Sequence, residues 1–189
     1  AQLDLWRRQG LVLTVSVNVA ASQLQQPDFA AQLAQSLARY PALPPAQLAL
    51  EILESAALRD IGQVSAVMQA CAALGVSFAL DDFGTGYSSL TYCKRLPASL
   101  LKIDQSFVRD MLDNSEDRAL VEGVISLARA FEREVIAEGV ETIAHAHALR
   151  AMRCRLGQGY GMARPMPAAA LPGWVQAWPA SAECQALLQ

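Results

Sequence analysis

The chain has 189 residues, 53% of them hydrophobic and 17% charged, which is apolar enough for a core and excludes a disordered or fibrous sequence. The length suits one domain, and a formal net charge of −3 disfavours a polyanion such as duplex nucleic acid as a partner. Of the fifteen basic residues only Lys94 and Lys102 are lysines, so a lysine inside an apolar run draws attention.

Residues 1–9 (AQLDLWRRQ) read as the tail of a helix with Leu3, Leu5 and Trp6 as its apolar positions and Gly10 as its stop signal. A β-branched and aliphatic run follows at residues 11–19 (LVLTVSVNV), then a helical pattern over 27–40. A turn at Pro41, Pro44 and Pro45 leads to a strand over 47–53 (QLALEIL), a helix over 62–74 and a strand over 76–81 (VSFALD). Next come a helix over 88–95, a strand over 99–103 (SLLKI), a helix over 115–131 and a strand over 134–138 (EVIAE). A helix over 143–152, a weaker strand over 153–156 (RCRL) and a last helix over 168–178 complete the series. No apolar run approaches the roughly 18 residues of a membrane helix, and no secretory signal pattern is present. Cys71, Cys93, Cys154 and Cys184 are scattered and read as small buried hydrophobes of a reducing, cytoplasmic setting. His145 and His147 lie two apart on one helix, cannot share a face and are expected at the surface.

Alternating βα units imply a parallel sheet covered by helices, either an open doubly wound sheet or a closed (β/α)8 TIM-type barrel. The polar residues decide. Asn18, Glu51, Asp81 with Asp82, Lys102, Glu138 and Gln158 each fall at or near the C-terminal end of a strand. In a barrel all those ends converge on one mouth, whereas in an open sheet only the strands at the switch point contribute. Side-chain alternation agrees: Thr14, Ser16 and Asn18 share one face and Leu13, Val15 and Val17 the other, with Ala49 and Glu51, Ala79 and Asp81, and Ile136 and Glu138 paired alike. A full barrel has eight strands in about 250 residues. Six strands are counted here, so the expectation is an incomplete barrel, residues 1–189 forming one partial domain whose first strands precede residue 1.

Four carboxylates and one carboxamide at one mouth form an oxygen-only ligand set that suits Mg²⁺ or Mn²⁺. Adjacent Asp81 and Asp82 can serve one ion each, and a pair of ions about 3.5–4 Å apart is the usual device for phosphodiester hydrolysis. Lys102 would orient the attacking water or share its proton. Each residue has an ordinary alternative taken singly: Asn18 and Glu51 as helix caps, Asp81-Asp82 before Gly84 as turn chemistry, Lys102 as a plain ion pair. Six such placements on successive strands are hard to obtain from turn statistics. Asp82-Phe83-Gly84 also matches a kinase metal-binding triplet, but no H-R-D loop, Gly-rich phosphate loop or V-A-I-K strand accompanies it.

The motifs SVN (16–18), EILES (51–55), DDFGTGYSSL (81–90), LKIDQSFV (101–108), VIAEGVET (135–142) and LGQGYGMARP (156–165) together resemble the EAL domains, which hydrolyse the bacterial second messenger cyclic di-GMP. The resemblance runs from about residue 11 to 167. It implies a barrel of (β/α)8 type whose first strand is antiparallel, two Mg²⁺ or Mn²⁺ ions, and hydrolysis of one phosphodiester to linear pGpG. It implies Asn18, Glu51 and Asp81 as ligands of one ion, Asp81 bridging, and Asp82 and Glu138 as ligands of the other. Lys102 and Glu138 become the catalytic pair, Gln158 a substrate contact and Glu141 a weaker one. Glu54 becomes the anchor of the loop Asp82, Phe83, Gly84, Thr85, Gly86, Tyr87 and Ser88, which in this family couples the metal site to dimerisation. A homodimer regulated by fused sensory domains is the implied setting.

The chain departs from the family in places. No Glu-Ala-Leu string occurs in it. The expectation is that this motif and its following Arg precede Ala1 and that the 189 residues alone are inactive. Met162 and Ala163 replace an aromatic and a polar residue, and Cys93 a leucine. Two other readings remain open at this point: an EAL-like domain that binds cyclic di-GMP or a protein partner without hydrolysis, and an unrelated metal-dependent barrel such as an aldolase, which has no account of DDFGTGYSSL.

Overall fold

The computed structural model describes residues 1–54, 61–85 and 89–188. Six strands run in parallel: β1 (Val15–Asn18), β2 (Leu48–Leu53), β3 (Ser77–Phe83), β4 (Leu100–Ile103), β5 (Glu134–Glu138) and β6 (Leu156–Gln158). They pair in strict sequence order, β1-β2-β3-β4-β5-β6. A doubly wound sheet would reverse its order at a switch point. An unreversed series of right-handed βα crossovers is instead a barrel wall, here an incomplete one.

The helices are α1 (Gln2–Arg8), α2 (Ala21–Leu24), α3 (Phe29–Ala38), α4 (Ile61–Ala73), α5 (Ser89–Arg95), α6 (Gln105–Asp110), α7 (Ser115–Ala130), α8 (Ile143–Ala151), α9 (Leu171–Ala177) and α10 (Ala182–Leu188). Strand alternation sends Leu50 and Ile52, Phe78 and Leu80, and Leu101 and Ile103 to the helical side. There they pack with Val64, Met68 and Cys71 of α4 and Val121, Ile125 and Ala128 of α7. The intervening Glu51, Asp81, Lys102 and Glu138 share the other face, as the alternation requires.

Several elements differ from the sequence expectation. The first strand is only Val15–Asn18 rather than 11–19, because just these residues pair with β2, from Val15 opposite Leu48 to Asn18 opposite Glu51. The last strand begins at Leu156 rather than 153, because Arg153 takes φ +66° where α8 ends and the chain turns there. Helices α2, α6 and α10 were not expected. The signal for α6 was present: Asp104 caps it by accepting from the Ser106 N–H at 2.8 Å. His145 is a correction. It is buried, with Nδ1 2.8 Å from Thr142 Oγ1 and Nε2 3.1 Å from the Arg109 carbonyl oxygen, so it joins α8 to the end of α6. His147 is exposed, with Nε2 3.0 Å from the Ala186 carbonyl oxygen. All four cysteines are free, and burial pushes the Cys71, Cys93 and Cys154 thiols up.

Arg133, at the entrance to β5, has no carboxylate partner among the described residues. Its guanidinium donates to the carbonyl oxygens of Cys93, Leu96 and Ala98. It closes the C-terminal end of α5, where backbone acceptors have no intrahelical donor. Burial lowers its pKa from the usual arginine value. Arg133→Met keeps much of the aliphatic stem and removes every donor. It is expected to lower the unfolding free energy by about 2–3 kcal/mol, seen as a lower urea midpoint at unchanged m-value.

Candidate functional site

Two adjacent residues of a regular strand point to opposite faces, so Asp81 and Asp82 could not both serve one mouth without an irregularity. The structure supplies one. Leu80 pairs with Leu101 and Phe83 with Ile103, so Asp81 and Asp82 together stand opposite Lys102 alone. This is a bulge, and Asp82 takes φ +53° in it. Buried Phe83 resumes the core face immediately afterwards. The bulge turns both carboxylates toward Glu138, and one oxygen from each of Asp81, Asp82 and Glu138 lies within 4.8 Å of the others.

Lys102 reaches the same place from β4. Its Nζ is 2.8 Å from Glu51 Oε2, 2.8 Å from Asp81 Oδ1 and 2.6 Å from Glu138 Oε1, so each ammonium hydrogen has a carboxylate. The side chain is 4% exposed. Burial pushes the ammonium pKa down, but the bonds to Asp81, Glu138 and Glu51 outweigh it and hold the pKa above the ordinary lysine value. Burial, with the neighbouring charges of Asp81 and Asp104, raises the Asp82 carboxyl. Burial raises Glu138 too, against the opposing pull of Lys102. With all four carboxyls ionised, one ammonium leaves three negative charges uncompensated. An oxygen-only set with that excess is chemistry that could hold a metal ion, and Asp81, Asp82 and Glu138 are the residues grouped to do so.

The other expected residues fall around this cluster. Asn18 is in register with Glu51 and Gln158 with Glu138, and both are exposed. Gln158 opens a turn packed flush on its neighbour: a Cβ on Gly159 would lie 2.3 Å from the Val140 carbonyl oxygen. Glu141 is exposed and lines, with Glu138 and Gln158, a cavity of about 600 Å³. Glu54 is buried at 2% exposure, and its Oε2 accepts from the Gly84 N–H at 3.2 Å. Gly84 has φ +106°, and a Cβ there would sit 3.2 Å from the Phe107 ring. The Thr85 hydroxyl donates to the Asp82 carbonyl oxygen at 2.9 Å. Asp82 and Phe83 belong to strand β3 rather than to a loop, because Phe83 is fully buried and paired. Gly86, Tyr87 and Ser88 lie outside the described residues. The sequence reading missed Asp104, whose negative charge bears on Asp82. The signal was an aspartate two residues beyond the strand-end lysine.

Comparisons with known proteins fit this geometry. The EAL domain family model matches residues 1–165. The chain is 40% identical over 168 residues to the bifunctional diguanylate cyclase/cyclic di-GMP phosphodiesterase MucR of Pseudomonas aeruginosa, covering 88% of this chain and 24% of MucR. It is 38% identical over 176 residues to the cyclic di-GMP phosphodiesterase PA2567 of the same organism, covering 93% of this chain and 30% of PA2567. The chain therefore spans less than a third of the length of these two curated relatives. Among solved structures, the PaMucR phosphodiesterase in complex with c-di-GMP superimposes with a TM-score of 0.85 at 40% identity, covering 90% of this chain and 69% of that one. The EAL domain of Mycobacterium smegmatis DcpA gives 0.87 at 34% identity, covering 94% and 80%.

The cluster makes two predictions. Lys102→Met leaves three carboxylates facing one another and should cost about 3–5 kcal/mol of stability without divalent cation. Mn²⁺ should then raise the melting temperature of the variant more than that of the wild type, as measured by thermal melts with and without the ion. Ligation needs deprotonated carboxylates, and Asp82 and Glu138 hold their protons to higher pH than ordinary carboxyls. Mn²⁺ affinity should therefore fall as pH is lowered through their titration, with proton release on binding, both measurable by calorimetry.

Proposed function

Because the chain belongs to the EAL domain family, we propose that it hydrolyses one phosphodiester of cyclic di-GMP to linear pGpG using two Mg²⁺ or Mn²⁺ ions. The observation that carries this reading is the grouping of Asp81, Asp82 and Glu138 around the buried Lys102 ammonium at the strand ends. Asn18, Glu51 and Asp81 would hold one ion, and Asp82 and Glu138, with Asp81 within reach of both, would hold the other. The ions, when bound, activate a water and neutralise charge on the attacking and leaving oxygens. The chain's own residues do the rest. Lys102 fixes Glu51, Asp81 and Glu138 in one geometry, and once one of these carboxylates turns to an ion the N–H it frees would meet the attacking water. Glu138 takes the water's proton. The water oxygen forms a bond to phosphorus as the P–O bond to the sugar oxygen breaks, and that oxygen leaves as a hydroxyl with the proton that Glu138 took from the water, which returns Glu138 to a carboxylate. Gln158 and Glu141 contact the nucleotide from the cavity wall.

The same reading extends to the setting. Residues 1–189 act as a single, partial EAL-type barrel domain that works as a homodimer. Glu54, through the Gly84 N–H, couples the metal site to the segment that follows Thr85. Fused sensory domains regulate it in the cytoplasm. Four free cysteines suit a reducing compartment, and among the described residues no helix is long and apolar enough to cross a membrane.

The test is product formation by the full-length protein. With Mg²⁺ or Mn²⁺ it should convert cyclic di-GMP to pGpG, resolved by chromatography and mass, and stop on chelation. Glu51→Ala or Asp81→Asn should abolish turnover, and substantial turnover in either variant overturns the ligand assignment. Lys102→Ala should cut kcat by about 10²–10⁴ with a smaller change in KM. A change confined to KM makes Lys102 a phosphate contact instead.

A further inference from the structure

Trp174 and Trp178 stand apart from the rest of the apolar content. Neither belongs to the hydrophobic core or to the partly buried residues packed against it. Both follow residue 165, where the family match ends. Their rings stack on each other, with centroids 5.0 Å apart and planes 27° apart. Burying two indoles against the core would be the usual use of such surface, and α9, which carries Trp174, has no buried residue at all. Trp174 instead lines the cavity that begins at Glu138 and Gln158, together with Glu141, Tyr160 and Arg164. Tyr160 is 57% exposed, with the Arg164 guanidinium carbon 4.6 Å from its ring centroid. Among the described residues the Trp174 indole N–H makes no hydrogen bond. One cavity thus joins the carboxylate cluster to an aromatic face, a cation and a free N–H donor.

We propose that Trp174 is a base-stacking wall of this cavity, its ring held in place by Trp178, and that it receives one purine base of the substrate while the reacting phosphodiester lies at the carboxylate cluster. The inference rests on the cyclic di-GMP reading and adds to it a subsite outside the family-matched residues. A flat, electron-rich indole is suited to a purine face. Arg164 places positive charge on the same wall, where a second phosphate of a dinucleotide would need it. Trp178 contributes as a positioning residue, because stacking removes rotational freedom from Trp174 before the base arrives.

The experiment uses the full-length protein. Base–aromatic stacking losses on alanine substitution predict that Trp174→Ala raises KM for cyclic di-GMP about tenfold with kcat changed less than about twofold. Trp174→Phe keeps an aromatic face and should hold KM within about threefold of wild type. Trp178→Ala should give an intermediate KM. Added GMP should quench tryptophan fluorescence more in the wild type than in Trp174→Phe. An unchanged KM in Trp174→Ala alongside normal wild-type hydrolysis overturns the stacking wall and leaves the phosphodiesterase reading intact. A wild type that does not hydrolyse cyclic di-GMP overturns that reading, and the GMP quench then decides this one: a difference between wild type and Trp174→Phe supports the wall, and equal quenching overturns it.

Discussion

A single ammonium group, that of Lys102, sits where the carboxylates of three neighbouring strands would otherwise repel. Glu51 comes from β2, Asp81 from β3 and Glu138 from β5, and Lys102 of β4 bonds all three at 2.6–2.8 Å. Side chains of like charge at neighbouring strand ends would spread the sheet. One cation at their centre lets the ends converge. Such an arrangement adds little net stability, because desolvating the ions costs roughly what their attraction returns. Its effect is geometric: it fixes three carboxylates relative to one another before any ligand arrives. The length of the lysine matters here. Lys102 pairs in register with Ile136, two residues below Glu138, so only a long flexible stem reaches the carboxylates while its methylenes stay buried.

The bulge at Asp81 and Asp82 is the second requirement, and it is held from both sides. Phe83 is fully buried, which fixes the chain just past the bulge. The Thr85 hydroxyl bonds back to the Asp82 carbonyl, and Glu54 receives the Gly84 N–H. Gly84 is needed because its φ of +106° strains any residue with a Cβ, and a Cβ there would also press on the Phe107 ring at 3.2 Å. Displacing Glu54 or Gly84 would therefore move Asp82 as well.

Much of this was legible in the sequence, for a physical reason. A charged side chain in an apolar strand is costly unless it is used or paired, so Glu51, Asp81, Lys102 and Glu138 marked the C-terminal strand ends without any alignment. Strand order also followed, since alternating βα units with polar ends on every strand leave few topologies. The features that escaped depend on three-dimensional partners. The edge strand β1 shortened because pairing with β2, not β-propensity, sets its ends. His145 looked superficial from its spacing to His147, yet Thr142 and the Arg109 carbonyl saturate both its ring nitrogens and allow its burial. That Asp81 and Asp82 share a face contradicts simple alternation and becomes clear only from the register shift. The wall formed by Trp174 had no sequence signal beyond a helical apolar pattern.

The raised Asp82 and Glu138 carboxyls connect the cluster to the chemistry proposed for it. Burial lifts both, and Asp104 adds to the effect on Asp82. Carboxyls that resist ionisation in isolation are those whose ionised form gains most from a nearby cation, since the field that opposes charge is then cancelled. Lys102 supplies one such cation, but its three bonds go to other carboxylates, and its pull on Asp82 does not outweigh burial and the charges of Asp81 and Asp104. The residual negative field therefore centres on the Asp81, Asp82 and Glu138 oxygens. A dinucleotide's phosphates would be repelled from that field unless it were filled, while the uncharged parts of the ligand could still be held at the aromatic side of the cavity. Binding energy at the distal wall and charge compensation at the cluster thus act on different parts of one molecule. Remote contacts of this kind hold a reacting group in place and let binding energy serve the chemical step.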